Sequence, residues 1–281
     1  VAKLVANGGL VALAGMLAEY FGAIEGASID ANKGAYSSAW MIIFAVIAAV
    51  MVLLGLYHIK MLPSTQVPAT GKKSTSEIMQ DLVNVIGNFF TKKHIVYYIF
   101  FIILYRLAEG FIMKVAPLFL RASREVGGLG LSLTEIGTLN GVFGSAAFVI
   151  GSLLGGIFVA RYGLKKTLFM LCCVFNLPFL AYTFLAVVQP TSLYLIGTCI
   201  TMEYFGYGFG FVGLTLFMMQ QIAPGKHQMS HYAFASGIMN LGVMLPGMIS
   251  GYFSDLLGYR SFFIYVLIAT IPAFLMTYFI P

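Results

Sequence analysis

The chain has 281 residues, of which 60% are hydrophobic and only 9% carry a formal charge, and its mean hydropathy is +0.92. Soluble domains carry about a quarter charged residues, so much of this surface must face lipid. The net charge of +6 would suggest nucleic acid in a soluble protein. No Gly-rich phosphate loop, aromatic RNA-binding pattern or zinc-ligand spacing accompanies it, and the excess is read as cytoplasm-facing loops.

A membrane helix needs about twenty mostly apolar residues. Eight stretches qualify: 4–24, 40–59, 94–120, 135–160, 167–188, 193–221, 231–254 and 261–280. The fold expected is all-α, a polytopic membrane helix bundle. Placing the 60–93 segment inside the cell puts Lys3, Lys60, Lys72, Lys73, Lys92, Lys93, Arg161, Lys165, Lys166 and Lys226 inside. Lys33, Arg121, Arg124 and Arg260 remain for the outside. Ten cations against four set the orientation, with both ends of the chain cytoplasmic.

After the first two spans, residues 61–93 form a cytoplasmic linker. Its first part is polar and rich in turn residues, from Pro63 through Pro68 to Gly71. Ile78, Leu82, Val85, Ile86 and Phe89 then recur at helical spacing. A helix over 76–90, capped by Ser76 or Thr75, is expected to lie on the inner membrane surface.

The span from His94 holds the costliest residues in the chain, Arg106 and Glu109. An intramembrane charge costs at least about 2.5–3.5 kcal/mol, so it faces a protein interior or a cavity. Their i,i+3 spacing puts both on one face, close enough to pair. Two readings stand: a buried pair that fixes packing, or part of a substrate- or proton-handling cavity. Lys114 either lines that cavity or snorkels to the outer interface, and Pro117 is expected to break the helix just beyond.

Further along, Gly156 to Lys166 reads G-x3-A-R-x-G-x-K-K, a turn at Gly163 carrying Arg161, Lys165 and Lys166. It resembles the loop signature of major facilitator transporters, with Ala160 where the family has an acid. The resemblance implies a conformational loop of retained shape. A linker followed by six spans also resembles the middle loop and C-terminal half of that family. The domains expected are therefore 1–60, the last two spans of an N-terminal half; 61–93, the linker; and 94–281, the C-terminal half. The sequence opens on Val1 and would be a piece of a twelve-span protein, with a complete eight-span protein as the alternative. An echo joins Asn140 and Gly156-x6-Gly163-x-Lys165 to Asn240 and Gly251-x6-Gly258-x-Arg260. Inverted-topology repeats give this pattern.

Cys172, Cys173 and Cys199 lie in apolar segments and read as inert packing. Glu203 sits in the 193–221 span with no Lys or Arg within a helical turn. Burial there favours the protonated acid, which suits a proton carrier or a neutral Glu hydrogen-bonded across helices. The glycines of Gly206-Tyr-Gly208-Phe-Gly210 form a small-residue packing face and a helix able to bend. His227 and His231 have the spacing of paired metal ligands but no nearby carboxylate, and are read as interfacial. Asn140, Asn176, Gln220 and Asn240 bond between helices or to substrate. No catalytic order of residues, metal cluster or phosphate loop is present, so neither an enzyme nor a cofactor is expected.

Several runs narrow the family. Tyr105-Arg-Leu-Ala-Glu-Gly-Phe111, Met202-Glu-Tyr-Phe-Gly-Tyr-Gly-Phe-Gly210, Tyr232-Ala-Phe-Ala-Ser-Gly and Gly258-Tyr-Arg-Ser-Phe-Phe resemble segments of the AmpG-type muropeptide permeases. Asn7-Gly-Gly-Leu10 resembles that family's fifth span. The resemblance implies proton-symport import of anhydro-muropeptides across a bacterial inner membrane, for cell-wall recycling. Arg106, Glu109 and Glu203 would then share a central cavity. Arg106, Lys114, Tyr105 and Tyr204 would meet an anionic glycopeptide. The partners implied are a small-molecule substrate, protons and the lipid bilayer, with the protein a monomer. The alternatives are an acetyl-coenzyme A-type or other organic-anion or sugar transporter of the superfamily, or a membrane scaffold that transports nothing.

Overall fold

The computed structural model describes residues 10–24, 31–61 and 74–281. The described residues are helical, with no strand among them. In chain order the helices are α1 Val11–Tyr20, α2 Lys33–Met61, α3 Thr75–Phe90, α4 Ile95–Tyr105, α5 Leu107–Arg121 and α6 Leu133–Tyr162. They continue with α7 Leu164–Asn176, α8 Phe179–Val188, α9 Leu193–Phe217, α10 Gln228–Ala269 and α11 Ile271–Tyr278. Five stretches are long and apolar enough to cross a membrane: Lys33–Met61, Ile95–Arg121, Leu133–Tyr162, Leu164–Val188 and Gln228–Tyr278. The glycines, tyrosines and Glu203 of α9 keep it out of that set. Residues 1–9 and 62–73, with Asn7, Pro63 and Gly71, lie outside the described residues.

The breaks do not all fall where composition suggests. Pro117 is contained in α5, which runs on to Arg121. Pro117 removes one helical donor, yet the helix continues past it to Arg121. The span instead breaks at Arg106, with φ −105° and ψ 5°, where no Gly or Pro marks it. The stretch 164–188 is interrupted before Phe179 by Leu177-Pro178. α10 loses helical geometry at Gly258, between the two spans expected over 231–254 and 261–280.

The echo between Gly163 and Gly258 is also a backbone match. Gly163 has φ 81° and ψ 147°, and Gly258 has φ 70° and ψ 158°. Side-chain-bearing residues rarely adopt this conformation. Each glycine interrupts helical geometry and is followed by a single residue and then a cation.

Packing repeats as well. α9 packs on α6 and α7 while α10 packs on α5 and α4. At the first contact a Cβ on Gly208 would sit 2.1 Å from the Phe148 carbonyl oxygen, and one on Gly210 2.4 Å from that of Leu171. The glycine run therefore serves close approach of helix backbones. α9 itself is one continuous helix from Leu193 to Phe217.

On the cytoplasmic side expected from the charges, α3 is docked at one end only. Ser74, not Ser76 or Thr75, is its N-cap, and its backbone N–H donates to the Glu77 carboxylate at 2.9 Å. Phe89 is fully buried against Phe234 and His231. His231 Nε2 lies 3.1 Å from the Val85 carbonyl oxygen. The Lys92 ammonium donates to the Ile222 and Pro224 carbonyls, just beyond α9 at the end of the π-helical stretch Met218–Ile222 that continues it, where a cation is favoured. Ile78, Met79, Leu82 and Val83 stay exposed.

Candidate functional site

The site is built where α5 faces α9. The break at Arg106 starts a new helix, and Glu109 falls in its first turn, where an acid is favoured by the helix dipole. Arg106 Nε donates to Glu109 Oε2 at 2.6 Å and Nη2 to Oε1 at 2.7 Å, a two-point contact of high directional strength. The residues are only 5% and 4% exposed, so neither charge is left to lipid. The guanidinium also lies over the Phe211 ring, 5.2 Å from its centroid. Tyr207, one turn before Phe211 on α9, stands beside Arg106 and Glu109.

Glu109 shows its outer side to a cavity of about 360 Å³. From α5 the wall is completed by Ile112, Met113, Ala116 and Pro117. From α9 it is formed by Glu203, Tyr204 and Tyr207. Asn140 of α6 and Tyr182 of α8 close it. Asn140 lies in a π-helical stretch, Gly137–Gly144, a wider turn often found at functional sites. Its side-chain oxygen is buried with no hydrogen-bond partner among the described residues.

The expected residues thus divide. Glu109, Glu203, Asn140 and Tyr204 share the cavity. Arg106 stands behind Glu109, outside the lining. Tyr105 is fully buried, its hydroxyl donating to the Gly210 carbonyl at 2.9 Å and its ring packed on Phe101 and Phe175. Lys114 is exposed and runs beside Gly247 of α10, and Asn240 is exposed on α10. At the far end of α6, Arg161 is exposed with its guanidinium 5.5 Å from the Tyr162 ring centroid. Lys165 and Lys166 are exposed and Gly156 is half-buried. Cys172 is buried and Cys173 partly so.

The aromatics of the Gly206–Gly213 run, Tyr207 and Phe211 among them, read from sequence as core packing before a sugar-stacking role, and Tyr182 was missed. The first two follow Glu203 at intervals of four, which puts them on its face of α9. Tyr182 comes from another helix and carried no signal.

Residues 107–281 match the model of the Major Facilitator Superfamily, and the chain belongs to that family. It is a multi-pass membrane protein of that superfamily. Within the family it is similar to the anhydromuropeptide permease of Escherichia coli (strain K12), 23% identical over 197 residues, which is 70% of this chain and 39% of that protein. It is also similar to the putative transporter AmpG 1 of Rickettsia conorii, 24% identical over 220 residues, 78% of this chain and 50% of that protein. The putative transporter AmpG 4 of the same organism is 25% identical over 267 residues, 94% of this chain and 61% of that protein. The chain spans about half the length of the curated relatives it matches.

Proposed function

We infer that the protein imports an anhydro-muropeptide by proton symport across the bacterial inner membrane, in cell-wall recycling. The observation that carries this reading is a pair of carboxylates, Glu109 and Glu203, brought to one cavity by two helices. The name of the Escherichia coli relative supplies the cargo. Glu203 carries the coupling proton, because Glu109 is already held by Arg106. Tyr204 and Asn140 line the cargo path. The turn at Gly156, Arg161, Gly163, Lys165 and Lys166 holds the cytoplasmic ends of α6 and α7 while the helices rock.

Residues 1–60 supply two spans of an N-terminal half, 61–93 the linker and 94–281 the six-helix C-terminal half. That makes eight crossings with both ends in the cytoplasm, working as a monomer. The engaged Arg106 favours one second reading, a sugar or other neutral-solute carrier of the same superfamily. The test is uptake of labelled anhydro-muropeptide by the protein in vesicles with an acid-outside pH gradient. Accumulation above the level in protein-free vesicles, abolished by a protonophore, is expected. Uptake no greater than in those vesicles removes this cargo.

A further inference from the structure

We propose that His231 is a pH sensor that sets whether α3 stays docked across the ends of α9 and α10. The residue is buried, only 3% exposed. Its ring lies between Phe89 of α3, 5.7 Å away, and His227, one turn earlier on α10 and 5.9 Å away, measured between ring centroids. Nε2 is 3.1 Å from the Val85 carbonyl oxygen. A carbonyl can only accept, so Nε2 carries the proton and Nδ1 is a bare acceptor. Nδ1 is buried with no hydrogen-bond partner among the described residues. The neutral ring tolerates this, because only a lone pair is left over.

A second proton changes that balance. It puts an N–H at Nδ1 with no acceptor, and a charge in a buried site, and both are costly. The groups around the ring add to the cost. Lys92, just past α3, and His227 of α10 act on it; the first is a cation and the second becomes one in acid. The Ile222 and Pro224 carbonyls beyond α9 are taken by Lys92. The acids of α3 give no relief: Asp81 and Glu77 lie one and two turns back from Val85, and Glu77 is bonded to the Ser74 backbone. Acid on this side therefore frees Val85 and Phe89, and Phe89 is the one buried residue of α3. The proposal goes beyond the transport reading, since protons brought to this side by symport would loosen the strap across α9 and α10.

Pulsed electron resonance on the detergent-solubilised protein tests this. Spin labels go on cysteines placed at Gln80 of α3 and Met229 of α10, both exposed, with Cys172, Cys173 and Cys199 replaced by Ala. At about pH 8 one narrow distance is expected; at about pH 6, where an imidazole becomes charged, a second, longer and broader population appears. The ratio of docked to released α3 should fall about tenfold, the effect of one buried N–H left unpaired. His231→Gln, which stays neutral and keeps a donor for Val85, should hold the narrow distance at both pH values. His227→Gln should still respond. A single narrow distance at both pH values in the otherwise unaltered protein would overturn the proposal. So would a response that survives in His231→Gln, or one that is lost in His227→Gln. No cargo or gradient is present, so this outcome and that of the uptake test are independent.

Discussion

Arg106 and Glu109 are joined at two points inside an apolar bundle. Removing one partner from a buried ion pair costs about 3–5 kcal/mol, because a charge is left uncompensated. Arg106→Ala should therefore lower the unfolding temperature and strongly reduce uptake. The double variant Arg106→Ala, Glu109→Ala should be at least as stable as Arg106→Ala alone. Thermal unfolding of the solubilised variants checks this, and independent, additive losses would contradict the pairing. These two residues were legible in the sequence because a charge in a membrane span is expensive wherever it stands. That Arg106 lies outside the cavity lining was not legible. Orientation depends on the helix break at Arg106 and on the Phe211 ring of another helix.

Among the helices, α9 and α3 make the sharpest expectations. Gly208 of α9 approaches the Phe148 carbonyl so closely that a methyl group has no space. Gly208→Ala should cost about 1–3 kcal/mol by overpacking, read as a lower unfolding temperature with the charged pair unchanged. α3 hangs on Phe89 and Lys92 at one end. Phe89→Ala should expose it to limited proteolysis at protease levels that leave the wild-type helix intact. Equal cleavage rates would show that the docking contributes nothing.

At this scale the helical period of α3 was readable from Ile78, Leu82 and Phe89. Its docking on α10 was not, since Phe234 and His231 lie far along the chain. Pro117 misled because its local effect was known but its neighbourhood was not.

For the whole molecule, composition alone dictated a helical membrane protein. The sequence echo around Gly163 and Gly258 is matched by their shared backbone conformation. The convergence of Glu109 and Glu203 was hidden, because sequence separation says nothing about which helices are neighbours. That convergence is the centre of the account.

It is tested most directly by comparing two modes of transport in Glu203→Gln, which mimics the permanently protonated acid. With the reconstituted variant, accumulation of labelled anhydro-muropeptide against its gradient should fall to the level in protein-free vesicles. Exchange of labelled for unlabelled cargo across the same membrane should persist, because cargo binding and helix rocking no longer await release of the proton. Accumulation at the wild-type level by Glu203→Gln would contradict the account and leave Glu203 as a packing residue.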